Sequence, residues 1–379
     1  MLSPPRFALV AALCAMLLLP DVPARAFGPS TGSTVVGAGE LALARWREDE
    51  YAEGITFLAY LKDGSRVEIG AQVSNLGIGN QNGRYYLGYF ASDRRLEASE
   101  EIKHKYRWDS TPLNISMGDE LPPAGLAPGS RGMTLKTVAG GVGQAGHTVE
   151  IAGATRELAL RLRWRSLVPA YRPGDGRVPF GDRTMQMYVQ MPRAEVSGQL
   201  WVAGRVLDVV GIGYMEHSRA NADPRRTTDR QLRLRFFDEV DGQSLTVIAY
   251  DNITTPKDGE RRFGYVGVWL GTKLVYDKLG AVLEPGDLRP DPKRPKNQLP
   301  GRFTVNAGPE LRLRAKTTRL VDRTAYLEKM SALLRAIISS WLYPVAYNWD
   351  CETEVTLALP GLDVTRRGWS DCGASLTRP

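Results

Sequence analysis

The feature that most constrains this chain is a period-two alternation of apolar and polar residues, recurring from Ile55 to Tyr250. A strand turns successive side chains to opposite faces, so this pattern describes sheets with one buried face. Ile55, Phe57, Ala59 and Leu61 share a face of a strand that ends at Lys62-Asp63-Gly64. Asp-Gly favours the tight turn of an antiparallel hairpin, and Val67, Ile69, Ala71 and Val73 resume the alternation after it. Leu158, Leu160, Leu162 and Trp164 alternate with Ala159, Arg161, Arg163 and Arg165. Met185, Met187, Val189 and Met191 repeat the spacing, as do Leu232, Leu234 and Phe236 around Arg233 and Arg235. Asp241-Gly242 then turns the chain into the run from Leu245 to Tyr250. Many short strands at this spacing predict a mainly β protein, a sandwich or barrel. The 39 glycines and 24 prolines fit frequent turns and few long helices.

One stretch departs from the rule. Over 326–342 the apolar residues Leu327, Met330, Leu334, Ile337, Ile338 and Trp341 fall at helical spacing, and Pro344 follows. This predicts one C-terminal amphipathic helix that covers a barrel wall or end. Its second reading is peripheral membrane contact, against which its polar face carries few cations. Leu121 to Gly132, Val168 to Arg183 and Glu284 to Gly301 read as long loops, and a break between halves is expected near Pro192 to Ser197.

The first 26 residues read as an address. Arg6 precedes a 13-residue apolar run from Phe7 to Leu19, and Ala24-Arg25-Ala26 has the form of a cleavage site. A cut after Ala26 sends the mature chain to the periplasm or outside the cell. The net charge of +7 falls by one with the leader, and Cys14 leaves with it. Cys351 and Cys372 remain, as a disulfide or as two buried free thiols. Paired, they close a loop worth roughly 3 kcal/mol.

Gly141-Val142-Gly143-Gln144-Ala145-Gly146 matches a dinucleotide fingerprint as text, but Thr148 to Ile151 continues it as a strand where a helix is required. It reads as a hairpin loop. His104, His147 and His217 stand far apart, so no metal site is expected. Arg161, Arg163 and Arg165 read as a solvated strand face, and export argues further against a nucleic-acid partner. The most informative segment is Val196 to His217, a hairpin turning near Ala203-Gly204 whose return strand holds Gly211 and Gly213 and then delivers Tyr214, Glu216 and His217. Glycines in a strand permit a bulge or the close approach of another group. Glu216 and His217 are the candidate acid/base pair, or else polar anchors or a structural cluster.

Val196-Ser197-Gly198, then Gly211-Ile212-Gly213-Tyr214-Met215-Glu216-His217, resembles the signature of the tandem lipocalin-like superfamily. That group holds the fungal survival-factor proteins, the AttH-like proteins, the carotenoid 1,2-hydratases and the fungal Diels–Alderases. Tyr60-Leu61 with Asp63-Gly64, Gln72 to Gly77, and Thr255-Pro256 extend the resemblance over roughly Trp46 to Tyr276. The sequence departs at Arg219-Ala220-Asn221, where a glycine is usual, and at Arg225-Arg226-Thr227, where aromatics are. The resemblance implies two packed calycin-type barrels, over 27–192 and 193–379, with an apolar cavity in one or both. Trp164, Met185, Met187, Trp201, Phe236 and Trp269 are expected near it, with Tyr214, Glu216, His217 and Arg219 orienting a polar head group. The leading expectation is an exported carrier of a lipid, fatty acyl chain or isoprenoid, with no cofactor. The alternatives are a cofactor-independent hydratase, isomerase or cyclase acting on a polyene or isoprenoid, and a stress-associated interaction module with filled barrels.

Overall fold

Alternation becomes architecture in two antiparallel sheets built on one plan. A computed structural model describes residues 36–41, 43–44, 49–75, 80–110, 113–121, 128–180, 182–222, 227–254, 261–325, 328 and 343–377. The leader expected over 1–26 and, Glu328 apart, the helix expected over 326–342 lie outside the described residues.

The first sheet begins with a four-strand meander, Ala52–Leu61, Arg66–Ser74, Asn82–Phe90 and Arg95–Lys103. It continues through Tyr106–Ser110, Leu113–Gly118, Gly132–Ala139, Thr148–Ala154, Leu158–Ser166 and Arg183–Val202 to Arg205–Ala220. That last strand returns to pair with the first, Leu58 opposite Tyr214 and Ile55 opposite His217. The second sheet repeats the plan from Arg230–Val240 to Leu362–Leu376, whose last strand also pairs with its first. The division expected at 192/193 falls inside Arg183–Val202, so the sheets part later, between Ala220 and Arg230.

The sheets curl into a nearly closed barrel and a half-barrel, where two packed barrels were expected. In each, among the described residues, no ladder joins the fourth strand to the fifth. The fourth strands explain this. Arg95–Lys103 carries Arg95, Glu97, Glu100, Glu101 and Lys103, and Lys273–Leu279 carries Lys273, Asp277 and Lys278. Neither has a fully buried residue. Charged edges gain little from burial and resist further pairing.

The concave face of the first sheet is filled by Phe57, Ile69, Leu87, Leu160, Trp164 and their neighbours, and that of the second by Phe236, Val247, Phe303, Leu313, Tyr347 and theirs. A third apolar cluster lies between the sheets, with Leu58, Tyr60, Val189 and Tyr214 from the first and Phe237, Ile248, Tyr250 and Tyr265 from the second. Arg163 and Arg165 are exposed, and Arg161 is half-buried. The turns at Ala203-Gly204 and Asp241-Gly242 put both of their residues at positive φ, as two-residue hairpins require. Gly141 to Gly146 lies in the hairpin loop between Gly132–Ala139 and Thr148–Ala154.

Two expectations about loops are corrected. Glu284 to Gly301 is largely strand, comprising the end of Val282–Gly286 and the hairpin Arg289–Asp291 with Arg294–Leu299. Asp291 anchors that hairpin by accepting hydrogen bonds from Tyr347 at 2.6 Å and Arg323 at 3.0 Å, so side-chain bonds replace the apolar alternation a sequence reading looks for. Val168 to Arg183 contains the short strand Arg177–Phe180. Cys351 and Cys372 form a disulfide between adjacent strands. Cys351 stands opposite Ser370 and Cys372 opposite Trp349, so the bridge runs diagonally across the pair.

Candidate functional site: a cleft between the two sheets

The strand Arg205–Ala220 serves both sides of the first sheet. Met215 and His217 turn into the barrel, while Tyr214, Glu216 and Ser218 turn toward the second sheet. Adjacent residues of a strand point to opposite faces, so Glu216 and His217 cannot act as the pair expected from their positions.

Gly213 lets this strand lie tight against the core. A Cβ there would come within 2.4 Å of the Trp164 ring and 2.6 Å of Val196. Opposite it runs Arg183–Val202, whose register shifts between Val189 and Met191 and again before Ala194. These bulges reverse the strand's phase. Met187 and Val189 therefore pack between the sheets, whereas Met191 joins the barrel core, so the four residues do not share one face.

Between the sheets is a cleft of about 70 Å³. Met185, Met187, Tyr214 and Glu216 line it from the first sheet, and Arg233, Arg235, Tyr250 and Tyr265 from the second. The Tyr214 hydroxyl donates to Glu216 Oε2 at 2.7 Å, and Arg235 Nη2 lies 3.5 Å from the same oxygen. The Arg235 guanidinium sits 4.1 Å over the Tyr214 ring centroid, within cation–π range. Tyr250 and Tyr265 stack with centroids 5.6 Å apart. Burial, then the Glu216 charge, pushes the Tyr214 phenol well above its ordinary value. Tyr265 rises for the same two reasons, and Tyr250 rises chiefly by burial. These phenols therefore stay protonated; the Tyr214 hydroxyl donates to Glu216, and the Tyr250 hydroxyl accepts from Gln231 Nε2 at 2.7 Å.

A buried charge cluster holds this wall in place. Asp371 accepts from Arg235 at 2.7 Å, and from Arg66 at 2.6 Å and Tyr60 at 2.9 Å on the other sheet. Burial alone would raise the Asp371 pKa, but Arg66, Arg235 and Arg233 outweigh it and hold the carboxyl below its ordinary value. Arg95 also pairs with Asp322 across the sheets, and Tyr171 donates to Asp277 at 2.6 Å.

His217 belongs to a separate centre. Its Nε2 lies 2.8 Å from Glu53 Oε1, and both side chains are fully buried. Tyr51 donates to Glu53 Oε2 at 2.6 Å, and the Ala44 amide does so at 2.8 Å. Burial opposes ionisation of Glu53, but the hydrogen bond and charge of His217, with these two donors, lower its pKa. Arg219 donates to Gln186 at 2.6 Å, beside this centre and away from the cleft. Trp164 is barrel core, edge-on to Phe57. Trp201 packs against a small cluster with Leu121, Ala154 and Ala159. Phe236 fills the second core, and Trp269 lies between the sheets against Tyr171. Of the expected ligand contacts, the cleft thus gathers Tyr214, Glu216, Met185 and Met187. His217, Arg219, Trp164 and Trp201 are elsewhere.

Sequence reasoning missed Arg235, Asp371, Tyr250 and Tyr265. The signal for Arg235 was present, since it alternates with Leu234 and Phe236. Its side chain meets Glu216 of the other sheet, a partner that alternation within one strand does not show.

No family model and no curated protein matches this sequence. Solved structures do match its fold. A protein assigned as AttH from Nitrosomonas europaea superposes with a TM-score of 0.57 at 11% identity, over 91% of this chain and 98% of that one. Kievitone hydratase from Nectria haematococca gives 0.51 at 10% identity, over 92% and 96%. CghA, solved with Sch210972, gives 0.53 at 13% identity, over 86% and 88%. The chain therefore has the tandem lipocalin-like fold, two curled antiparallel sheets of common plan. Kievitone hydratase shares that fold over nearly the whole of both chains.

Proposed function

We propose that this protein is a proton-transfer enzyme of the hydratase, isomerase or cyclase type, acting without a cofactor on an unsaturated hydrophobic substrate such as a polyene or isoprenoid. The observation that carries this is Glu216, a carboxyl group set in an aromatic cleft between two sheets and gripped by Tyr214 and Arg235. In isomerisation the Glu216 carboxylate takes a proton from an allylic carbon and returns it at the far end of the shifted double bond. In hydration the protonated acid gives its proton to one alkene carbon, and water adds to the neighbouring cation and returns a proton to the carboxylate. The aromatic rings of Tyr250 and Tyr265 suit a transient positive charge on carbon, the Tyr214 ring being already engaged by Arg235.

A carrier fits less well. The concave faces, where a long acyl chain was expected, are occupied by side chains. The cleft of about 70 Å³ suits a reacting group and its near neighbours, not a whole lipid. The chain's likeness in fold to kievitone hydratase also favours the enzyme. The same proposal puts the mature chain in the periplasm or outside the cell; the apolar leader and the Cys351–Cys372 disulfide support this.

The test is a panel of polyenes and isoprenoids incubated with purified protein and analysed by mass spectrometry. Addition of water, or an isomer of unchanged mass, is the expected product, and Glu216→Gln should abolish it. Turnover that survives Glu216→Gln overturns the assignment.

A further inference from the structure

Arg233 is the cleft guanidinium that the proposed proton transfer leaves unused. Its Nη2 donates to Asn348 Oδ1 at 2.7 Å, and its Nη1 to Gln231 Oε1 at 3.1 Å and Ser375 Oγ at 3.2 Å. All three acceptors are neutral. Among the described residues no carboxylate lies within ion-pairing distance of it. Its through-space acidic neighbours, Glu68 and Asp371, are engaged by Arg66 at 3.8 Å and 2.6 Å. Arg235, by contrast, is paired on both sides, with Asp371 and with Glu216.

The backbone makes room for this cation. Gly373 stands opposite Arg233 in the register. A Cβ at Gly373 would come within 2.5 Å of Arg233 Nε and 2.7 Å of its Cζ. The guanidinium thus lies flat on a glycine, fixed by three neutral acceptors, with its charge turned to a cleft that also holds Met185 and Met187. A fixed, planar guanidinium without a carboxylate partner matches an oxyanion in both charge and geometry.

We infer that Arg233 is the specificity anchor of the cleft and that the substrate carries an acidic oxygen, a carboxylate or an enolate, beside its unsaturated carbon skeleton. This rests on the assignment of the cleft as the substrate site. The anion is held by Arg233 on the second sheet while the unsaturated carbons lie toward Glu216 on the first.

The experiment compares sorbate, a short diene carboxylate, with sorbyl alcohol, the same skeleton without the charge. Both are titrated into the whole protein by calorimetry at low ionic strength. Sorbate should bind about tenfold more tightly than the alcohol, and added salt should erode the difference. Arg233→Gln should bring the two affinities together. Gly373→Ala keeps the charge and displaces only the guanidinium, so it should weaken sorbate and spare the alcohol. Glu216→Gln should retain the preference, which separates this anchor from the proposed chemistry. Failure of Glu216-dependent turnover, with the sorbate preference intact, would remove the enzyme and leave the anion site. Equal affinities in the natural protein, no sorbate binding, or a preference that survives Arg233→Gln would overturn the anchor.

Discussion

Arg66 and Asp371 stand 305 residues apart in the chain, yet the guanidinium of one reaches the buried carboxylate of the other at 2.6 Å. The pair joins the two sheets, and the same carboxylate fixes Arg235 against Tyr214 and Glu216. Docking of the sheets and assembly of the cleft are therefore one event.

Asp371→Asn should be severely destabilising, because it leaves Arg66 and Arg235 buried without their counter-charge. Breaking a buried pair in this way costs roughly 3–5 kcal/mol. Urea unfolding monitored by tryptophan fluorescence checks it, and a loss under 1 kcal/mol would speak against the clamp. The Asp371 carboxyl lies below its ordinary value, near 3.8, so its contribution is complete above that pH. It is lost as pH falls through the lower folded value.

His217→Asn should lower stability and leave the chemistry of the folded fraction unchanged, since His217 faces Glu53 inside the barrel. Glu216→Gln should do the reverse. Turnover per folded molecule, normalised by circular dichroism, separates the two. Equal loss of turnover in both variants would place the two residues in one site after all.

Burial lowers the His147 imidazole to about 4, and its Nε2 lies 3.2 Å from Thr137 Oγ1. The unfolded chain takes up that proton near 6.5. The neutral imidazole therefore adds stability that is complete above pH 6.5 and drains away as pH falls toward 4. Urea midpoints of His147→Asn, measured across that window, should have a shallower pH slope than those of the natural protein.

Gly213→Ala should cost about 1–3 kcal/mol by overpacking, because its methyl group meets the Trp164 ring and Val196 inside a filled core. A shift in thermal midpoint measures this. Gly204→Ala is the control, since a Cβ there meets no atom within 4 Å, although its φ of 76° carries its own backbone cost. A larger loss at Gly204 than at Gly213 would contradict the packing argument.

The period-two pattern made strands and hairpin turns legible, because each rests on neighbouring residues. Tyr214 and Glu216 were legible as well, since Gly211 and Gly213 mark their strand. Asp371 was not, because its role comes from Arg66 and Tyr60 on the other sheet. Arg233 and Arg235 were visible as the polar half of an alternating strand. Alternation says which residues share a face, but not whether water or a second sheet covers it. The bulges between Val189 and Ala194 were equally hidden, and they decide which methionines reach the cleft.

The most direct test of the central claim is deuterium exchange in D₂O with polyene and isoprenoid substrates, comparing the natural protein with Glu216→Gln. Incorporation of solvent deuterium at carbon by the natural protein, absent with Glu216→Gln and retained with His217→Asn, is the predicted result. Incorporation that persists without the Glu216 carboxylate, or that vanishes with His217 alone, would contradict a proton-transfer site between the sheets.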